Sequence, residues 1–113
     1  VFVDRVEELD LEALGPLFEG SGLFPEGVNV EFVQPLGERA IKMRVYERGS
    51  GETLSCGTGA CAAAVAAVAA GHCPRGEEIT VSLPGGRLQV CWGERECYLS
   101  GPAETVFGGQ LEW

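Results

Sequence analysis

Positive charge is what this 113-residue chain has least of: eight Lys and Arg stand against seventeen Asp and Glu, a formal net charge of -9. The eight are scattered from Arg5 to Arg95, which argues against nucleic acid and anionic membrane surfaces as partners. Histidine is nearly absent, His72 being the only one. The five cysteines are odd in number, form no C-x-x-C pair and have no histidine cluster beside them, so neither a disulfide framework nor a metal site is expected. No apolar run reaches the ~20 residues of a membrane span, and no basic segment with a cleavable apolar stretch opens the chain. What remains is a small-molecule partner in a reducing, cytoplasmic setting. An initiator Met is also lacking, and Val1-Phe2-Val3 reads as a strand already in progress, so a fragment is expected, with part of any site on residues outside it.

Repeats and low-complexity linkers are absent, and the length suits one domain spanning 1–113. Asp10 can cap a surface helix with apolar positions Leu11, Leu14, Leu17 and Phe18, and Gly15-Pro16 is its weak point. Turn signals at Gly20-Ser21-Gly22 and Pro25-Glu26-Gly27 lead into a strand from Val28 to Val33, with Val28, Val30 and Phe32 on its one buried face. Ala40 to Glu47 repeats the pattern, with Ile41, Met43 and Val45 inward. Leu36-Gly37-Glu38-Arg39 turns the two strands into a hairpin. Glu78 to Leu83, Arg87 to Trp92 and Glu96 to Ser100 read as an antiparallel meander. A last apolar stretch, Thr105 to Leu111, is expected either to pair locally or, over about 106–113, to reach toward another domain.

Between these strands, Ala60 to Ala70 consists of Ala, Val and Cys alone. A helix apolar all round is expected to be buried all round, so the sheet must curve about it, with Gly71 as its C-terminal stop. The fold class is therefore α+β, a curved, barrel-like mixed sheet around one central helix. Ser55-Cys56-Gly57-Thr58-Gly59-Ala60-Cys61 opens that helix. A cysteine at a helix N-terminus faces free N–H groups and the positive end of the macrodipole, which favour thiolate. Gly57 and Gly59 suggest room for a ligand at the backbone, where free N–H groups suit a carboxylate or phosphate. The alternative is a small apolar cysteine capping a buried helix.

Arg48 can bind a carboxylate in a bidentate fork, and Glu47 can accept from an ammonium; equally, the two can form an ordinary surface ion pair. Asn29 is either a solvent-facing amide or a ligand group. His72 follows the far end of the helix, which disfavours a Cys-His pair with Cys56 and makes it a solvated residue favoured by the dipole. Cys61, Cys73, Cys91 and Cys97 read as structural, with Cys61 pointing into the core.

Tyr46-Glu47-Arg48-Gly49-Ser50-Gly51-Glu52-Thr53 followed by Cys56-Gly57-Thr58-Gly59-Ala60 closely resembles the second-half signature of diaminopimelate epimerases. Phe24-Pro25-Glu26-Gly27-Val28-Asn29-Val30-Glu31-Phe32 resembles another block of that family. The likeness covers essentially the whole chain and corresponds to the family's C-terminal half; the N-terminal half, with its own cysteine motif, has no counterpart. It implies one of two pseudo-symmetric domains, each a mixed sheet curled about a helix, with the active site between them. It implies interconversion of LL- and meso-diaminopimelate by two cysteines on opposite faces of the α-carbon, with no pyridoxal phosphate, no other cofactor and no metal. Cys56 then matches one of the pair, Gly57 and Thr58 match backbone of the carboxylate cradle, and Asn29, Glu47 and Arg48 match substrate-recognition positions. The implied partners are diaminopimelate and the missing N-terminal half, and whether the full enzyme is a homodimer stays open. A proline racemase-like isomerase on the same fold, a cysteine hydrolase lacking its histidine, and a non-catalytic anion-binding half-domain are the competing readings.

Overall fold

Two tight turns organise the sheet. In the computed structural model, which describes all of Val1–Trp113, β1 (Val30–Gly37) and β2 (Ala40–Glu47) are antiparallel neighbours joined by Glu38-Arg39 alone. The turn is shorter than the sequence suggests because β1 continues past Val33 to Gly37, its register shifting between Pro35 and Gly37. β3 (Gly51–Thr53), in a stretch that reads as loop, folds back on β2. β4 (Glu78–Leu83), β5 (Gly86–Trp92) and β6 (Cys97–Ser100) form the expected meander, with Pro84-Gly85 as its first turn. A parallel ladder from Ala40 opposite Thr80 to Lys42 opposite Ser82 joins the two hairpins, so the sheet is mixed, in the order β1-β2-β4-β5-β6 with β3 beside β2. Val1–Val3 lies along the outer edge of β1: Phe2 bridges Val33 in parallel, and Val3 N–H donates to the Val33 carbonyl at 2.8 Å.

β1 is buried on both faces rather than one. Val30 and Phe32 pack with Val6 and Leu11 on one side, while Val33 packs with Ile41, Met43 and Val45 on the other. The alternation hides this, because Val33 falls in the same set as Asn29 and Glu31.

The first face is covered by α1 (Leu11–Glu19), whose Asp10 cap accepts from Ala13 N–H at 3.2 Å as expected. Leu17 points away and is exposed, so the packed stripe is Leu11, Leu14 and Phe18. The helix runs through Gly15-Pro16 instead of breaking there. Gly15 is buried against Tyr46, and a Cβ at that position would lie 2.3 Å from the ring. Gly15→Ala should therefore force ring or helix to shift and cost about 1–3 kcal/mol of stability, as overpacking does. A urea midpoint unchanged by the substitution would show that the ring can swing aside. On the same face Arg44 donates to both carboxylate oxygens of Glu52 at 2.7 and 2.8 Å, and its Nη1 donates to the Val6 and Leu9 carbonyls at 2.9 and 2.8 Å. One guanidinium thus ties β2, β3 and the N-terminal segment together.

α2 (Gly57–Ala69) lies on the other face, in contact with β1, β2, β4, β5 and β6. Gly59, Ala60, Ala63, Ala64 and Ala67 are buried, whereas Ala62, Ala66 and Ala69 are exposed. The expected all-round burial is thus reached on one side only, since the curved sheet is an open arc within this chain. The helix ends where the sequence indicates: Gly71 takes φ +85°, its N–H donates to the Val68 carbonyl and that of His72 to the Ala67 carbonyl, a Schellman stop. Beyond Ser100 the chain forms neither helix nor strand, and Val106, Phe107, Leu111 and Trp113 are exposed, so the tail makes no local pairing.

Candidate active site

Cys56 is the N-cap of α2. Its extended backbone (φ -147°, ψ 107°) turns the thiol back over the first turn, where Sγ accepts from Gly59 N–H at 3.4 Å and lies 3.6 Å from Thr58 Oγ1. The Cys56 carbonyl accepts from Ala60 N–H at 2.9 Å. The N–H groups of Gly57 and Thr58, first in the helix, precede any intrahelical acceptor and have no partner in the chain. The loop before Cys56 is anchored by Gly85 N–H, which donates to the Leu54 carbonyl at 2.8 Å.

The two glycines of this motif do not leave the vacant approach expected of them. A Cβ on Gly57 would meet Leu99 Cδ2 of β6 at 3.0 Å, and one on Gly59 would meet Glu31 Oε1 at 2.8 Å and Cys56 Sγ at 3.2 Å. Their bareness admits the protein's own side chains against the helix. A ligand would have to enter beside these groups, at the Gly57 and Thr58 amides.

Asn29, Glu47 and Arg48 are drawn into two small clusters. Asn29 Oδ1 accepts from the Arg48 backbone N–H at 2.7 Å, which fixes the amide and leaves its NH₂ free. Arg48 lies over Gly27, where φ is +84° and a Cβ would sit 2.5 Å from Arg48 Cδ; its Nη1 donates to the Glu26 carbonyl at 2.9 Å. Glu47 accepts from the Thr53 hydroxyl across the β2–β3 pair. No ion pair joins Glu47 to Arg48, so the ordinary surface pair is not what holds them. Thr53, the last residue of the Glu-Arg-Gly-x-Gly-Glu-Thr block, thereby joins the Glu47 cluster.

The remaining cysteines and the histidine lie elsewhere. His72 is exposed beyond the far end of α2, whose 13 residues span about 20 Å at 1.5 Å per residue, and lies against Phe2 with ring centroids 4.8 Å apart and the rings tilted by 50°. Cys73 is buried in the core, which pushes its thiol pKa up. Cys61 is only half-buried, and its pKa is raised by burial first and then by its neighbour Cys97 on β6; Cys97 itself is exposed, not a core residue. An apolar cavity of about 320 Å³ along the open face of α2, between Ala62, Ala66, Phe2 and Phe24, has Asn29 and Glu31 in its wall but not Cys56. No group of three or more His, Cys, Asp or Glu is arranged to hold a metal ion, and no helix is long and apolar enough to cross a membrane.

The mixed α+β fold, a six-stranded sheet with two helices, has PhzF and diaminopimelate epimerase-like folds as its structural neighbours. The crystal structure of a Bacillus anthracis phenazine biosynthesis protein of the PhzF family superimposes with TM-score 0.60 over 87% of this chain and 32% of that one. A putative phenazine biosynthesis PhzC/PhzF protein from Clostridium difficile gives 0.57 over 80% of this chain and 31% of that one. Both are 21% identical, so the likeness speaks to fold alone. The sequence narrows the class. The family model described as diaminopimelate epimerase matches residues 1–106, and the chain belongs to that family, as its C-terminal part. It is 50% identical over 114 aligned positions to the diaminopimelate epimerase of Bacillus thuringiensis (strain Al Hakam) and 51% to one from Bacillus cereus. Each match takes in all of this chain and 40% of the relative, so the chain spans about two-fifths of the length of these curated relatives.

Proposed function

We propose that this chain is the C-terminal catalytic part of a cofactor-independent epimerase that interconverts LL- and meso-diaminopimelate, with Cys56 as one of two acid–base cysteines. The carrying observation is the thiol at the head of α2 beside two amides without partners, an arrangement that puts a base and an anion cradle within one helical turn. An amino-acid α-carbon is a very weak acid, so stabilising the developing negative charge is the main task. N–H donors aimed at the substrate carboxylate serve it without reorganisation. Acid and base on opposite faces invert the centre in one pass, whereas a single base returns the proton to the face it left. The second cysteine belongs to the N-terminal part, and the exposed 106–113 segment reaches toward that part. Such an enzyme serves lysine biosynthesis in the cytoplasm.

Exchange of the substrate α-proton in deuterated water, followed by NMR in the full-length protein, tests the reading; absence of exchange with diaminopimelate would leave an anion-binding module. In this reading Arg48 holds the non-reacting carboxylate of the substrate and Asn29 and Glu47 its polar surroundings. Arg48→Lys keeps the charge but loses the fork. Its KM for diaminopimelate should rise by about tenfold, the loss of one charged hydrogen bond of about 1.5 kcal/mol. An unchanged KM would return Arg48 to a structural role over Gly27.

A further inference from the structure

Glu31 is the one acidic side chain on the α2 face of β1, opposite Val45 and two residues from the core residue Val33. Because its Oε1 and Cys56 Sγ flank the same point over Gly59 at 2.8 and 3.2 Å, the two atoms are separated by no more than about 6 Å. No other residue of the chain donates a hydrogen bond to the Glu31 carboxylate; the Val1 nitrogen donates instead to the Glu31 backbone carbonyl at 2.8 Å.

The groups facing this pair are few. Of the charged groups, β2 brings Glu47, while the N-terminal segment is tied in through the Val1 nitrogen on the Glu31 backbone carbonyl. α2 carries no charged side chain, β3 contributes Thr53, and β6 contributes the apolar Leu99 over Gly57. Burial pushes the Glu31 carboxyl above the usual carboxylate range; the bond from its own backbone N–H pulls it down, and Glu47 raises it. The folded chain thus holds this proton more tightly than the unfolded one. Ionising Glu31 therefore weakens the fold, and this loss grows as pH rises through the carboxylate range and levels off above it.

We propose that Glu31 is a positioning residue that sets the proton affinity of Cys56, its carboxylate opposing the pull of the α2 N-terminus on the thiolate. An acid–base thiol must release a proton and take one back in every cycle, which it does best with a pKa near the working pH. A helix N-terminus alone draws a thiol pKa down. A carboxylate within about 6 Å repels the thiolate, and does so more strongly in a buried site than in water. The catalytic meaning of this rests on Cys56 being the acid–base thiol; the electrostatic coupling does not.

The test is the pH dependence of Cys56 alkylation by iodoacetamide in the full-length protein without substrate, read by mass spectrometry on the Cys56 peptide so that the other cysteines do not contribute. Glu31→Gln is expected to lower the alkylation midpoint by about half a pH unit or more, with about threefold faster labelling below the midpoint. Glu31→Met, also neutral, should shift it the same way and stands in if the Gln variant does not fold, as judged by far-UV circular dichroism. A midpoint unchanged in a folded neutral variant overturns the proposal. Lack of α-proton exchange in the parent protein would instead refute the epimerase reading and leave the alkylation result standing.

Discussion

Cys56→Ala in the full-length protein should lower epimerisation of diaminopimelate by at least about 10³-fold, the scale of a lost acid–base group. Cys73→Ala and Cys97→Ala should retain most of the activity. The contrast follows from position: Cys56 caps α2 beside the unpartnered Gly57 and Thr58 amides, Cys73 is sealed in the core, and Cys97 sits on the exposed edge strand β6. Cys73→Ala removes one buried sulfur and is expected to lower stability somewhat, so activity should be compared on the folded fraction. Steady-state rates in both directions, starting from the LL and the meso isomer, check the assignment. Near-normal turnover in either direction by the Cys56 variant would end it.

The second large effect concerns the 113-residue chain by itself, which should show no detectable epimerisation. It offers one thiol at a helix N-terminus, that of Cys56 on α2, where the two-base reaction needs two. Cys61 is turned toward Cys97, and His72 is a helix length away. The Ala62-Ala66-Ala69 stripe and the tail residues Val106, Phe107, Leu111 and Trp113 lie in water, so the isolated chain should also be weakly stable or self-associate. Adding the N-terminal part of the protein in trans should raise the melting temperature and bring activity back together. Deuterium incorporation at the α-carbon by the purified chain alone would require a second base within it.

The sequence was most legible where structure is local. The Asp10 cap, the Gly71 stop and the β4–β5–β6 meander all rest on residues a few positions apart, and each appears where its chemistry indicates. It was least legible where distant segments meet. Nothing in Gly15-Pro16 shows that Tyr46, thirty-one positions on, needs a residue without a Cβ there, and Arg44 gives no sign of its bonds to Val6 and Leu9. The glycines of the Cys56 motif show the same limit. Their missing side chains are plain in the sequence, but only the fold reveals that Leu99 and Glu31 fill the space, which changes an open approach into a lined one. In the proposed site, Cys56 is legible from its place before an apolar helix, whereas the approach of Glu31 to Gly59 is hidden inside an alternating strand.

The parallel ladder of β2 and β4 has a kinetic meaning. Each hairpin, closed by two residues, can form on the scale of ~1–10 μs. Ala40 and Thr80, by contrast, are far apart along the chain, and the whole of α2 is looped out between them. Closing that loop precedes any reward from the contacts it allows, so docking of one hairpin on the other is expected to come late in folding. Before that docking the Leu99 side chain of β6 is not expected to cover the head of α2, which would leave Cys56 more open than in the folded chain. The thiol gains its shelter at the moment the two hairpins meet, which makes its protection from a bulky alkylating reagent a clock for the completion of the fold.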